Sequence, residues 1–149
     1  MLEEYFKESN QLDYLKIQQK EEIEDRAIRQ TVVILTMQLQ ELYQKLLPKT
    51  KEDSEVILHE FMEEKFKPEI LKKCQELNIS PKTCFPLETE WNNARLAAFM
   101  TYEKKSEDLS KLQQKLGLDL KGYYNFIEKK YNNFKDQSED ADFSMYLLR

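Results

Sequence analysis

IRQTVVILTMQLQELYQKLLP, Ile28 to Pro48, decides the fold. Within it Ile28, Val32, Leu35, Leu39, Leu42 and Leu46 recur at steps of four and three, which lays one apolar stripe along a helix. Neither Gly nor Pro interrupts the chain from Ser9 or Asn10, both suited to an N-cap, to Leu47, and Pro48 ends the run. The pattern predicts a long helix over residues 10–47. Its charged first half, KIQQKEEIEDRAIRQ, carries a thinner stripe and is expected to project from the body.

Similar signals follow downstream. Thr50 and Asp53 have the spacing of a capping pair, and Val56, Ile57, Phe61, Met62 and Phe66 repeat behind them at helical intervals. Pro68 lacks a backbone donor and should kink or break this second helix, predicted over 51–77, after which Ile70, Leu71, Cys74 and Leu77 continue the pattern. NISPKTCFPLETE, Asn78 to Glu90, has two prolines and no helical period, and reads as an ordered loop. A third helix is expected over 91–116 with Gly117 as its C-terminal cap, and a fourth over 119–134, with Asp119 at its start. Residues 135–149 are expected to form a loose tail, acidic in KDQSEDADF, although FSMYLLR is apolar enough to dock back.

Composition agrees with this reading. Gly occurs twice and Pro four times in 149 residues, and 34% of the chain is charged, which disfavours sheets with many tight turns. The expectation is a single all-α, bundle-like domain of four to five helices that includes a long antiparallel pair. Net charge is −5 with the signs interspersed, so no nucleic-acid partner is expected. Apolar runs fall short of the ~20 residues a membrane span requires, and the acidic start MLEEYFKESN is unlike a signal peptide. The chain as given is therefore expected to be soluble, with any export signal lying outside it. Cys74 and Cys84 are too few for a disulfide scaffold, and their spacing leaves open whether they form one bridge.

Few segments carry chemistry. HEFME, His59 to Glu63, begins like a helical zinc signature, but Glu63 stands where the second imidazole belongs and His59 is the only histidine. Neither a metal site nor a catalytic residue is expected within the chain. Glu21, Glu22, Glu24, Asp25, Glu63 and Glu64 alternate with Lys and Arg at helical spacings and read as solvated faces. Tyr123, Tyr124, Phe126, Tyr131 and Phe134 lack the interleaved basic patches of a stacking surface and read as core.

WNNARLAAFMTY, Trp91 to Tyr102, sets Asn92, Asn93 and Arg95 among apolar residues. On a helix Asn92, Arg95, Phe99 and Tyr102 lie within about 80° of one another. Polar groups on such a face need partners, which admits two readings. Either an Asn caps the helix while Arg95 pairs with Glu88 or Glu90, or the cluster walls a polar cleft.

NNARLAAFMTYEK resembles the C-terminal motif of a bacterial family of predicted zinc aminopeptidases, in which Asn-Asn-Ala-Arg-Leu-Ala is followed by Thr-Tyr. LEEYFKESNQLDYLKIQQKEEIEDRAIRQ, LQELYQKLLPKTKEDSEVILHEFMEEKF and KLQQKLGLDLKGYYNFIEK are similar, in order, to neighbouring segments of that family, so the resemblance runs from Leu2 to Tyr131. It implies peptide-bond hydrolysis at a free N-terminus by a zinc-bound water, held by a His-Glu-x-x-His helix and a further Glu that the family carries upstream of this region. HEFME corresponds to an ordinary helix there. Asn92, Asn93, Arg95 and Tyr102 match the motif, and by resemblance they flank the substrate cleft or brace the zinc helix. A Tyr hydroxyl or Asn amide in that place would donate to the developing oxyanion or hold the substrate's amino end. ETEW, Glu88 to Trp91, departs from the family's usual lead-in.

The resemblance further implies a bacterial cell-envelope setting, a peptide substrate, zinc in the whole protein, and the upstream catalytic portion as partner. On this reading the chain is the C-terminal portion of a metal-dependent aminopeptidase and is inactive alone. The alternative is a free-standing helical interaction or dimerisation module whose Ile28 to Leu46 stripe takes a partner helix or a second copy. That stripe covers under three heptads, short for an obligate coiled coil.

Overall fold

A computed structural model describes residues 12–134 and 143–147, and every regular element among them is helical. The elements are α1 (Leu12–Leu46), α2 (Lys51–Phe61), a π-helical turn (Met62–Phe66), α3 (Lys67–Glu76), a 3-10 turn (Pro81–Thr83), α4 (Phe85–Glu88), α5 (Asn93–Leu116), α6 (Leu120–Phe134) and α7 (Phe143–Leu147). The protein is all-α. Contacts divide it into two compact units, Asp13–Met100 and, among the described residues, 101–134 with 143–147; the division falls within α5.

In the first unit the α1 stripe becomes core. Ile28, Val32, Leu35 and Leu39 are buried against Leu58, Phe61, Met62, Phe66, Ile70, Cys74, Cys84 and Leu96. Each fully buried side chain of the size of Val32, Phe66 or Ile70 contributes roughly 1.5–3 kcal/mol. Leu42 is only half-buried and Leu46 is exposed, because the stripe outruns the partners available to it. Four residues of the stripe, Ile28, Val32, Leu35 and Leu39, are thus covered within the chain. Thr36, also buried, satisfies its hydroxyl by donating to the Val32 carbonyl one turn back.

The first half of α1 is mostly solvated, with Tyr14, Ile17 and Ile23 exposed. Its charges pair along the helix, Lys20 with Glu24, Arg26 with Glu22 and Arg29 with Asp25. Exposed pairs of this kind contribute only a few tenths of a kcal/mol each, by about 0.3–0.5 on a helix.

α2 starts as its sequence predicts. The Thr50 hydroxyl accepts from the Asp53 amide at 3.0 Å and the Asp53 carboxylate accepts from the Thr50 amide at 3.2 Å, closing a capping box. Pro68 does not break the helix. The chain instead widens into the π-helical turn just before α3, where the Lys67 amide donates to the Met62 carbonyl, and Pro68 falls in the first turn of α3.

α3 closes with a Schellman motif: Asn78, at φ 58°, donates to the Gln75 carbonyl at 3.0 Å, and Ile79 donates to that of Cys74 at 2.8 Å. Asn tolerates this left-handed backbone better than most residues. The expected loop over 78–90 contains the 3-10 turn and the single turn α4, both absent from the sequence reading because two prolines masked them. Cys74 and Cys84 form a disulfide, with both sulfur-bearing residues fully buried and their Cα atoms 6.4 Å apart.

In the second unit Gly117 ends α5 at φ 58°, its amide shared between the Gln113 and Gln114 carbonyls. Asp119 caps α6 by accepting from the Gly122 amide at 2.7 Å. Of the α6 aromatics expected in the core, Tyr123, Phe126 and Phe134 are half-buried, whereas Tyr124 is 65% and Tyr131 52% exposed. Tyr131 and Phe134 pack instead on Phe143 of α7, whose ring lies 5.4 and 5.2 Å away. Phe143–Leu147 is therefore helical where a loose tail was expected, while 135–142 fall outside the described residues.

Candidate functional site

Asn92, Asn93 and Arg95 all lie at the start of α5, and each is committed to holding that start in place. Asn92 is the cap. Its side-chain oxygen accepts from the Arg95 amide at 2.8 Å, and its carbonyl accepts from the Leu96 amide at 2.9 Å. Arg95 donates through its guanidinium to the main-chain carbonyl of Glu90, rather than to the carboxylate of Glu88 or Glu90 that the sequence offered. A rigid planar donor thereby pins the last residues of the connecting segment to the helix they enter.

Asn93 reaches further. Its Oδ1 accepts from the Tyr43 hydroxyl at 2.9 Å, and the same hydroxyl lies 3.1 Å from the Ser54 carbonyl. One hydroxyl proton cannot serve two acceptors fully. Turning the Asn93 amide so that Nδ2 donates to Tyr43 lets the hydroxyl donate wholly to Ser54. Tyr43 thus ties α1, α2 and α5 together. It was missed in the sequence because it sits beside the apolar stripe and carries no motif.

Behind the cap the apolar side of α5 enters the core. Leu96 is buried and Phe99 half-buried. Trp91 stands edge-on to Phe66 and to Phe99, each with ring centres 5.7 Å away, and its indole N–H donates to the Pro86 carbonyl at 2.8 Å. Arg29 stacks over Phe85 at 5.4 Å. Asn92, Asn93 and Arg95 are exposed while Leu96 is buried and Trp91 and Phe99 are half-buried, so the mixed face read on the wheel resolves into a cap with a salt-free brace. Tyr102 falls in the second unit and is 65% exposed.

A groove of about 410 Å³ runs between the α2 face bearing Glu55, Leu58 and His59, continued by Met62 and Glu63 of the π-helical turn, and the facing segment from Pro86 to Trp91. His59 is exposed on its edge. The Glu63 carboxylate is held below the usual carboxylate range chiefly by its hydrogen bond from the Lys67 ammonium. A second groove, about 530 Å³, lies between α1 and α2 around Leu42, Ile57 and Phe61.

Among the described residues no group of three or more His, Cys, Asp or Glu is gathered as a metal would require, and no helix is long and apolar enough to cross a membrane. Compared with family models, curated proteins and solved structures, the chain matches none of them.

Proposed function

We propose that this chain is the helical, non-catalytic C-terminal portion of a metal-dependent aminopeptidase, positioning a zinc-bearing portion and its peptide substrate. The ordered resemblance from Leu2 to Tyr131 motivates the reading. The observation that carries it is the bracing of the NNAR quartet. Asn92, Asn93 and Arg95 are exposed and held by named hydrogen bonds at the start of α5, in keeping with a wall that packs against a catalytic helix. In this role they are positioning residues and none of them performs a chemical step. Zinc, held by the upstream portion of such a protein, would supply the activated water for hydrolysis.

The buried Cys74–Cys84 disulfide is in keeping with an oxidising compartment, and so with the cell-envelope setting that the resemblance implies. The reading frame upstream of Met1 tests the proposal: it should encode a His-Glu-x-x-His segment. In the intact polypeptide, Arg95→Ala should lower peptide hydrolysis while leaving zinc stoichiometry unchanged. A frame with no such segment, or hydrolysis indifferent to Arg95, would refute it.

A further inference from the structure

We propose that the groove between α2 and the segment from Pro86 to Trp91 docks a short peptide segment of another protein, one that alternates basic and apolar residues. This inference stands apart from the aminopeptidase reading.

The floor is apolar. Leu58, Met62 and Pro86 are buried beneath it, and Trp91 offers a half-buried indole fixed by its bond to the Pro86 carbonyl. The rim is acidic and unevenly compensated. Glu55 pairs with Lys51 and Glu63 with Lys67, whereas Glu88 and Glu90 have no ion-pair partner among the described residues. Those two carboxylates stand two residues apart around Thr89, which is extended, so they repeat at the interval at which an extended peptide shows alternate side chains to one face. A cation between them and an apolar neighbour on Trp91 and Met62 complement the groove in charge and in polarity.

The occupant's source follows from charge. The occupant comes from another molecule, because residues 1–11 and 135–142 of this chain both carry more Asp and Glu than Lys. A second copy, at net charge −5, is a poor electrostatic match as well.

Trp91 is the only tryptophan, so its fluorescence reports the groove directly. The probe is an acetylated, amidated Leu-Arg-Leu-Arg-Leu peptide, compared with Leu-Glu-Leu-Glu-Leu and with spermidine. The proposal expects a saturable shift in Trp91 emission with the Arg peptide alone, weakened by added salt. Glu88→Gln with Glu90→Gln should weaken it about fivefold, at the scale of two exposed charge pairs. Both side chains are exposed, so circular dichroism should be unchanged. No saturable shift, an equal response to the Glu peptide or to spermidine, or equal affinity in the double variant would overturn the proposal.

Discussion

Tyr43 and Asn93, fifty positions apart, meet at 2.9 Å between the phenol oxygen and the end of the side-chain amide, and the same phenol reaches the Ser54 carbonyl. Three helices are coupled through one hydroxyl. Tyr43→Phe removes both bonds while keeping the ring, and should cost about 1 kcal/mol. Asn93→Ala should cost less, and the double variant should cost less than the sum, since the two changes delete a shared interaction. Urea unfolding followed by Trp91 fluorescence measures all three; strict additivity would show that the pair is not coupled.

Asn92→Ala removes the cap on α5 and should destabilise the first unit by about 1 kcal/mol, whereas Asn92→Asp and Asn92→Ser, which keep an acceptor, should lose much less. The unfolding midpoint should fall with the slope against urea unchanged. A cap role fails if Ala and Ser behave alike.

Cys74 and Cys84 close a loop of 10 residues in sequence separation and are both fully buried. Loop-closure entropy alone gives the bridge about 2–3 kcal/mol. Cys74→Ala with Cys84→Ala should therefore lower the thermal midpoint by several degrees, and thiol alkylation of the native protein should label neither residue. Labelling without reductant would contradict the bridge.

Glu107 and Lys111 form an exposed pair one turn apart in α5. The hydrogen bond from Lys111, then its charge, lowers the Glu107 pKa, and the same contact raises that of Lys111. The contribution of Glu107 is present above the ordinary carboxylate range and lost as pH falls through its lowered pKa. That of Lys111 is present below the ordinary lysine value and lost as pH rises through its raised one. Carbon NMR should find the Glu107 midpoint moving up in Lys111→Ala; an unmoved midpoint would deny the contact.

Most of the fold was legible because its signals are local. The stripe from Ile28 to Leu39 became the core, and Thr50 with Asp53, Gly117 and Asp119 took the capping places that their chemistry specifies. At Pro68 the helix over 51–77 is interrupted by the π turn rather than ended, a local irregularity of the kind that the missing donor leads one to expect. Tyr124 and Tyr131 were misplaced because aromatic periodicity predicts burial only where a second layer exists to cover it. At the motif, the cap on Asn92 was readable from residue type, but the choice of a carbonyl over a carboxylate by Arg95 and the reach of Tyr43 to Asn93 depend on tertiary approach. The disulfide was equally silent in sequence, since spacing permits a bridge and only the fold brings the two sulfurs together.

Assaying the polypeptide that carries this chain, purified from its own cells, for bound zinc and for release of amino-terminal residues from peptides tests the central claim most directly. The account predicts about one zinc per polypeptide, as three-ligand catalytic sites bind it, and hydrolysis abolished by a chelator and restored by zinc. A zinc-free preparation that releases no amino-terminal residue would contradict it.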